Sequence, residues 1–308
     1  MAANKLRIGV MTGFPDPVSA EQHVGQAETL GFDSLWVGDH VAFPVPILDS
    51  LSQLALASAY ARTVTLGTCV YLLPLRHPTV VAKQVATIDR MAAGRLILGV
   101  GVGGEFPNEY AACGVPIGER GARLSDGIEV LKALWSGESI TRESRFYPLQ
   151  DVQMLPEPEQ QGGPPVWCGG RSEAALKRAG RLADGYISYA IDAERYRKSK
   201  QTIETAAFGV EQDPKSITFA HMLFTRLGNS FEEAHSVATA HLSQRYAMDF
   251  GPAAKRYAAL GLPSDVAESI TQFRDEGVTH LILDLTGPLQ DREAQLQWFS
   301  EEVKPLLD

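Results

Sequence analysis

The residues best suited to chemistry fall in three short stretches. Asp39-His40 comes directly after SLWVG (34–38), a run that reads as a strand. Histidine takes or gives a proton near neutral pH, and a neighbouring carboxylate can orient it. A loop histidine bonded to a neighbour, with Asp39 capping a turn, is the plainer alternative. Gly169-Gly170-Arg171-Ser172 joins the strand-like PPVWCGG (164–170) to a helix beginning at about Glu173. Backbone N–H groups and the helix dipole at such a junction receive a phosphate. Arg171 adds a matching charge and Ser172 a capping hydroxyl. A plain capped turn would use the same residues.

The third stretch is RLILGVGVGG (95–104), whose glycines at 99, 101 and 104 satisfy GxGxxG. A dinucleotide turn follows the first strand and opens into a helix. This one follows about the fourth strand, and Glu105-Phe106-Pro107-Asn108-Glu109-Tyr110 is a poor start to a long helix. Gly99, Gly101 and Gly103 share one face of a strand, because side chains alternate. That bare face admits a flat ligand or another backbone, and the sequence leaves both open. Glu105 and Glu109 flank the opening. A carboxyl group shielded from water can serve as a general acid, and Glu105, nearer the strand end, is the favoured one. Arg76-His77, after the third strand, suits either a phosphate contact or a helix cap.

These groups need a frame. Strand-like runs occur at 6–11, 34–38, 64–70, 95–101, 164–170, 184–190, within 216–228 and at 278–285. The early starts are about 30 residues apart, the length of one βα unit. Runs of Val, Ile and Leu without alternation suit a parallel sheet covered on both faces. Pro78 opens a helix whose Val81, Val85, Ile88 and Met91 form a stripe, and Gly94 stops it. Residues 119–135 repeat the pattern with Leu124, Ile128, Leu131 and Trp135. Eight strands, each followed by a helix, predict a (β/α)8 TIM barrel. It forms a single domain over 1–308, with a hairpin and proline-rich insertion at about 136–163.

Composition sets the outer bounds. The chain has 308 residues, 44% hydrophobic and 21% charged, with a net charge of -9. A soluble core is expected, and a general nucleic-acid binder, which needs a basic face, is not. Cys69, Cys113 and Cys168 lack metal spacing and fit a reducing compartment. His221, His235, His241 and His280 also lack it, so no metal is expected. No apolar run reaches the roughly 20 residues of a membrane span. The N-terminus lacks a signal-peptide core, so a cytoplasmic protein is expected.

Several pieces together resemble the bacterial luciferase-like superfamily: SLWVGDH (34–40), GTCVYLLPLRHPTVVAKQVATIDRMAAGRLILGVGVGGEFPNEY (67–110) and PPVWCGGRSEAALKRAGRLADGYI (164–187). Within it they are most similar to the oxidoreductases that use the deazaflavin coenzyme F420. The resemblance spans nearly the whole chain and implies the same barrel. It implies that Asp39 contacts the cofactor ring and that His40 protonates substrate or ring. It places a cis peptide at Cys69–Val70, as a bulge behind the ring; Gly101 and Gly103, on the bare strand face, are the candidate cofactor contacts there. The phosphate falls to Gly169, Gly170, Arg171 and Ser172. The aromatic residue usual four positions beyond the histidine is replaced by Pro44. The expected function is hydride transfer between F420 and a small organic substrate. An FMN-dependent monooxygenase is the alternative, and a non-catalytic flavin-binding barrel is the alternative of another class. The resemblance also implies a homodimer. Segments 41–50 and 142–163 carry no readable specificity signal.

Overall fold

The computed structural model describes residues 5–307. Strands β1 (Arg7–Met11), β2 (Ser34–Val37), β3 (Thr65–Thr68) and β4 (Leu96–Val100) lie side by side and parallel. An antiparallel hairpin, β5 (Ser139–Arg142) and β6 (Leu149–Gln153), occupies the expected insertion. The parallel series resumes with β7 (Val166–Gly169), β8 (Gly185–Tyr189) and β9 (Thr218–Leu227). After β10 (Ala258–Gly261), β11 (His280–Leu285) joins β9 to β1, with Arg7 opposite His280. Strands β1–β4, β7–β9 and β11 therefore close a (β/α)8 barrel. β10 pairs only with the far end of β9. Its sequence, AALG, lacks the β-branched and aromatic residues that favour strands, so pairing alone makes it one.

The Val/Ile/Leu runs are buried along their length, as in β4. Inside the barrel Trp36 and Trp167 meet with ring centroids 5.3 Å apart. Gly67 and Gly185 make room for them: a Cβ there would stand 2.5 Å from the Trp36 ring and 2.4 Å from Trp167. Outside, the helix Pro78–Met91 packs Val81, Val85 and Ile88 on the barrel. Met91, expected on that stripe, is 53% exposed. Four residues beyond Ile88 comes Ala92, which is fully buried and continues the row at helical spacing. Leu124, Ile128, Leu131 and Trp135 are all buried as expected, and Trp135 Nε1 donates to the Ala82 carbonyl at 3.0 Å.

Two interior histidines make stability depend on pH. His280 Nε2 lies 2.7 Å from Ser34 Oγ, and His221 Nδ1 lies 2.7 Å from Ser188 Oγ. Burial opposes the charged form and pushes each imidazole from 6.5 down to about 3. Between those values the unfolded chain binds more protons than the native one. Stability is therefore intact above pH 6.5 and lost as pH falls, by up to about 1.4 kcal/mol per pH unit for each histidine. Urea midpoints measured at about pH 7.5 and about pH 5.5 should drop on acidification. His280→Gln, whose amide can still meet Ser34, should flatten the drop. An identical drop in the variant would remove His280 from this role.

Candidate active site

The barrel strands are parallel, so the loops after them gather at one mouth, where barrel enzymes place their chemistry. Asp39 and His40 follow β2 and point to different partners. Asp39 is buried and saturated. It takes Arg76 Nη1 at 2.5 Å and Nη2 at 2.8 Å, Ser50 Oγ at 3.0 Å and the Leu72 N–H at 2.9 Å. Arg76 is thus committed to Asp39 and lies over the Tyr71 ring, 4.4 Å from its centroid. Of the two roles open to Arg76-His77, the ion pair with Asp39 occupies the guanidinium. His77 takes the alternative role, its Nδ1 capping the next helix through the Thr79 N–H at 3.3 Å.

His40 faces Glu109. Its Nδ1 lies 3.1 Å and 3.0 Å from the two carboxylate oxygens. Glu109 is 1% exposed and also accepts the Val41 and Ala42 N–H groups, at 2.7 and 3.0 Å. These donors mark the carboxylate as an acceptor, so His40 Nδ1 donates to it, and in the neutral imidazole the lone pair then sits on Nε2. Nε2 has no hydrogen-bond partner among the described residues. Phe43 stacks on the imidazole at 4.0 Å, and Phe106 meets it edge-on at 5.8 Å. The aromatic neighbour thus stands three positions beyond the histidine, where sequence spacing did not place it.

The glycine row of β4 is explained by its neighbour. After β3 the chain turns over β4 through Cys69–Val70, which is cis. A Cβ at Gly99 would stand 2.0 Å from the Thr68 carbonyl, one at Gly101 2.5 Å from Val70, and one at Gly103 3.0 Å from Leu72. The bare face therefore admits the 68–72 backbone and side chains. Val70 also lies against Gly169, 3.0 Å from where its Cβ would be, so one side chain spans the ends of β4 and β7. Cys69 Sγ sits 3.8 Å from Met222 Sδ, and burial raises its thiol pKa.

The two acids of the β4 exit separate. A short helix, Pro107–Ala112, carries Glu109 inward to His40. Glu105 stays exposed and accepts the Tyr189 hydroxyl at 2.8 Å. Arg171 lies over the same Tyr189 ring at 4.7 Å and bonds the Ala190 carbonyl at 3.3 Å, with no ion pair among the described residues. Ser172 caps the helix Glu173–Leu182 through the Ala175 N–H. Beside this turn lies a 460 Å³ cleft lined by Arg171, Asp192, Arg195, Lys198 and Arg256. Among the described residues no cluster of three or more His, Cys, Asp or Glu has the arrangement of a metal site. No described helix is long and apolar enough to cross a membrane.

A histidine–carboxylate pair at a barrel mouth does not by itself name a family. The family profile described as luciferase-like monooxygenase matches residues 2–297. The chain belongs to the luciferase-like monooxygenase family. An F420-dependent glucose-6-phosphate dehydrogenase from Kineococcus radiotolerans is 32% identical, over 92% of this chain and 90% of its own. A phthiodiolone/phenolphthiodiolone dimycocerosates ketoreductase from Mycobacterium bovis is 25% identical over 89% of each chain. The fold is that of an F420-dependent secondary alcohol dehydrogenase solved with an F420-acetone adduct. The TM-score is 0.86 over 99% of both chains, at 20% identity.

Proposed function

We propose that this protein is an oxidoreductase that moves a hydride between F420 and a small organic substrate, with His40 as its proton carrier. The single observation carrying this reading is the His40–Glu109 pair, which leaves a free imidazole lone pair at the barrel mouth. The F420-dependent enzymes among its relatives support the choice of cofactor. When bound, F420 supplies the carbon that accepts or returns the hydride.

The residues present fit such a group. The turn Gly169-Gly170-Arg171-Ser172 offers N–H donors at a helix start and an arginine with no carboxylate partner among the described residues. The close packing of Val70 on Gly101 and Gly169 floors the mouth. Arg171 and Ser172 would hold the phosphate, and Glu105 steadies Tyr189 under Arg171. Asp39 contributes by holding Arg76, Ser50 and Leu72 together.

The chain's own share of the reaction is the proton. As the C–H hydride leaves an alcohol, its hydroxyl proton passes to His40 Nε2. In the reverse direction the proton returns to the carbonyl oxygen. Glu109 keeps Nδ1 protonated and the ring oriented throughout. Glu109, not Glu105, is therefore the acid that serves His40. Exposed Val80 and Met91 on the helix Pro78–Met91 suit the homodimer that the resemblance implies.

Titration with F420 and with FMN, oxidised and reduced, tests the cofactor. Tight FMN binding without F420 affinity would replace hydride transfer by the oxygen-using alternative. Arg171→Ala should weaken F420 binding by about 1.5–3 kcal/mol, roughly 10- to 150-fold, the range for a hydrogen bond to a charged group. Equal affinity would remove the phosphate from this turn.

A further inference from the structure

We infer that the substrate is an apolar alcohol or ketone, not a sugar phosphate, and that residues 43–48 select it. The inference rests on the reading of His40 as proton carrier. The loop 41–48, VAFPVPIL, has no side chain that donates or accepts a hydrogen bond. It begins at the reacting imidazole. Phe43 lies flat on that ring, and Phe106 stands edge-on to both. The loop folds back toward the mouth. Ile47 Cδ1 and Met11 Cε lie 3.6 and 4.0 Å from where a Cβ at Gly38 would be. Val41, Val45, Ile47 and Leu48 are all exposed. Apolar side chains gathered around a polar reacting atom suit a molecule with one polar oxygen and a hydrocarbon body.

Charge argues in the same direction. No ion pair or hydrogen bond joins His40 or Glu109 to an Arg or Lys among the described residues. Four arginines already hold carboxylates: Arg76 with Asp39, Arg226 with Asp291, Arg245 with Asp284 and Arg256 with Asp192. A phosphate brought to His40 would lose water against phenyl rings and gain no counter-charge, which is costly. Arg171 and Arg195 also hold no carboxylate among the described residues, but they line the cleft given to the cofactor; Arg120, beside Gly104 at the β4 exit, and Arg292 are the further arginines without a carboxylate that a substrate phosphate could use.

The test is calorimetric titration of the full chain, alone and loaded with F420. The ligands are a homologous series of 2-alkanols and 2-ketones, with glucose 6-phosphate alongside. Affinity should rise about fourfold per added methylene, the gain from burying one such group. Glucose 6-phosphate should not compete. The Ile47→Ser/Leu48→Ser double variant should lose the chain-length dependence and bind F420 normally. Flat affinity across the series would overturn the inference. So would glucose 6-phosphate binding that Arg120→Ala or Arg292→Ala abolishes. Failure to bind F420 would defeat the cofactor reading instead, and the series on the unloaded chain would still decide the substrate class.

Discussion

His40→Ala should lower kcat for hydride transfer by about 100- to 10,000-fold, the usual worth of a positioned general acid or base. Affinity for F420 should hold, because the turn at 169–172 proposed for its phosphate belongs to another strand end. The loss should fall on kcat, since the imidazole acts on a proton that moves only during the reaction. Glu109→Gln should act in the same direction. It removes the acceptor that fixes the imidazole proton on Nδ1. Stopped-flow measurement of F420 absorbance at saturating substrate reads both variants. Unchanged turnover in His40→Ala would end the assignment of His40 as the proton carrier.

Arg76→Ala should cost about 3–5 kcal/mol of stability, the penalty for leaving one member of a buried ion pair uncompensated. Asp39 would keep Ser50 Oγ and the Leu72 N–H but lose two charge-assisted bonds. The next acid, Asp49, stands 3.9 Å from Arg76 and half exposed, so it carries little of the pair. Chemical denaturation of the apo chain measures the loss directly. A phosphate-binding Arg76 would give the opposite pattern, with normal apo stability and weak cofactor affinity. Observing that pattern would overturn the structural role.

The barrel was legible because its strands are apolar runs and its helices announce their ends. Pro78 and Gly94 bracket one helix, and Ser172 opens another. The extra strand β10 was not legible, because AALG has no propensity and gains its form from β9. At the site, sequence order named His40, Glu105 and Glu109 but could not say which acid meets His40. Distance from the strand end pointed to Glu105, whereas the helix starting at Pro107 swings Glu109 to His40 across 69 positions. Asp39 was read as a ring contact and Arg76 as either an anion contact or part of a helix cap; they stand 37 positions apart, and nothing local reveals that they hold one another. The β4 glycines showed that something approaches closely. Only the path of residues 68–72 reveals that the visitor is the chain itself.

The anchoring of the segment after His40 has a further consequence. Its near end is pinned by Glu109 through the Val41 and Ala42 N–H groups, and its far end by Ser50 on Asp39. Residues 43–48 hang between two fixed posts as an interchangeable cartridge. Longer or shorter cartridges cost little closure entropy. Evolution, or an engineer, can therefore re-address this enzyme to new molecules by grafting six residues, with the proton relay and the barrel left alone.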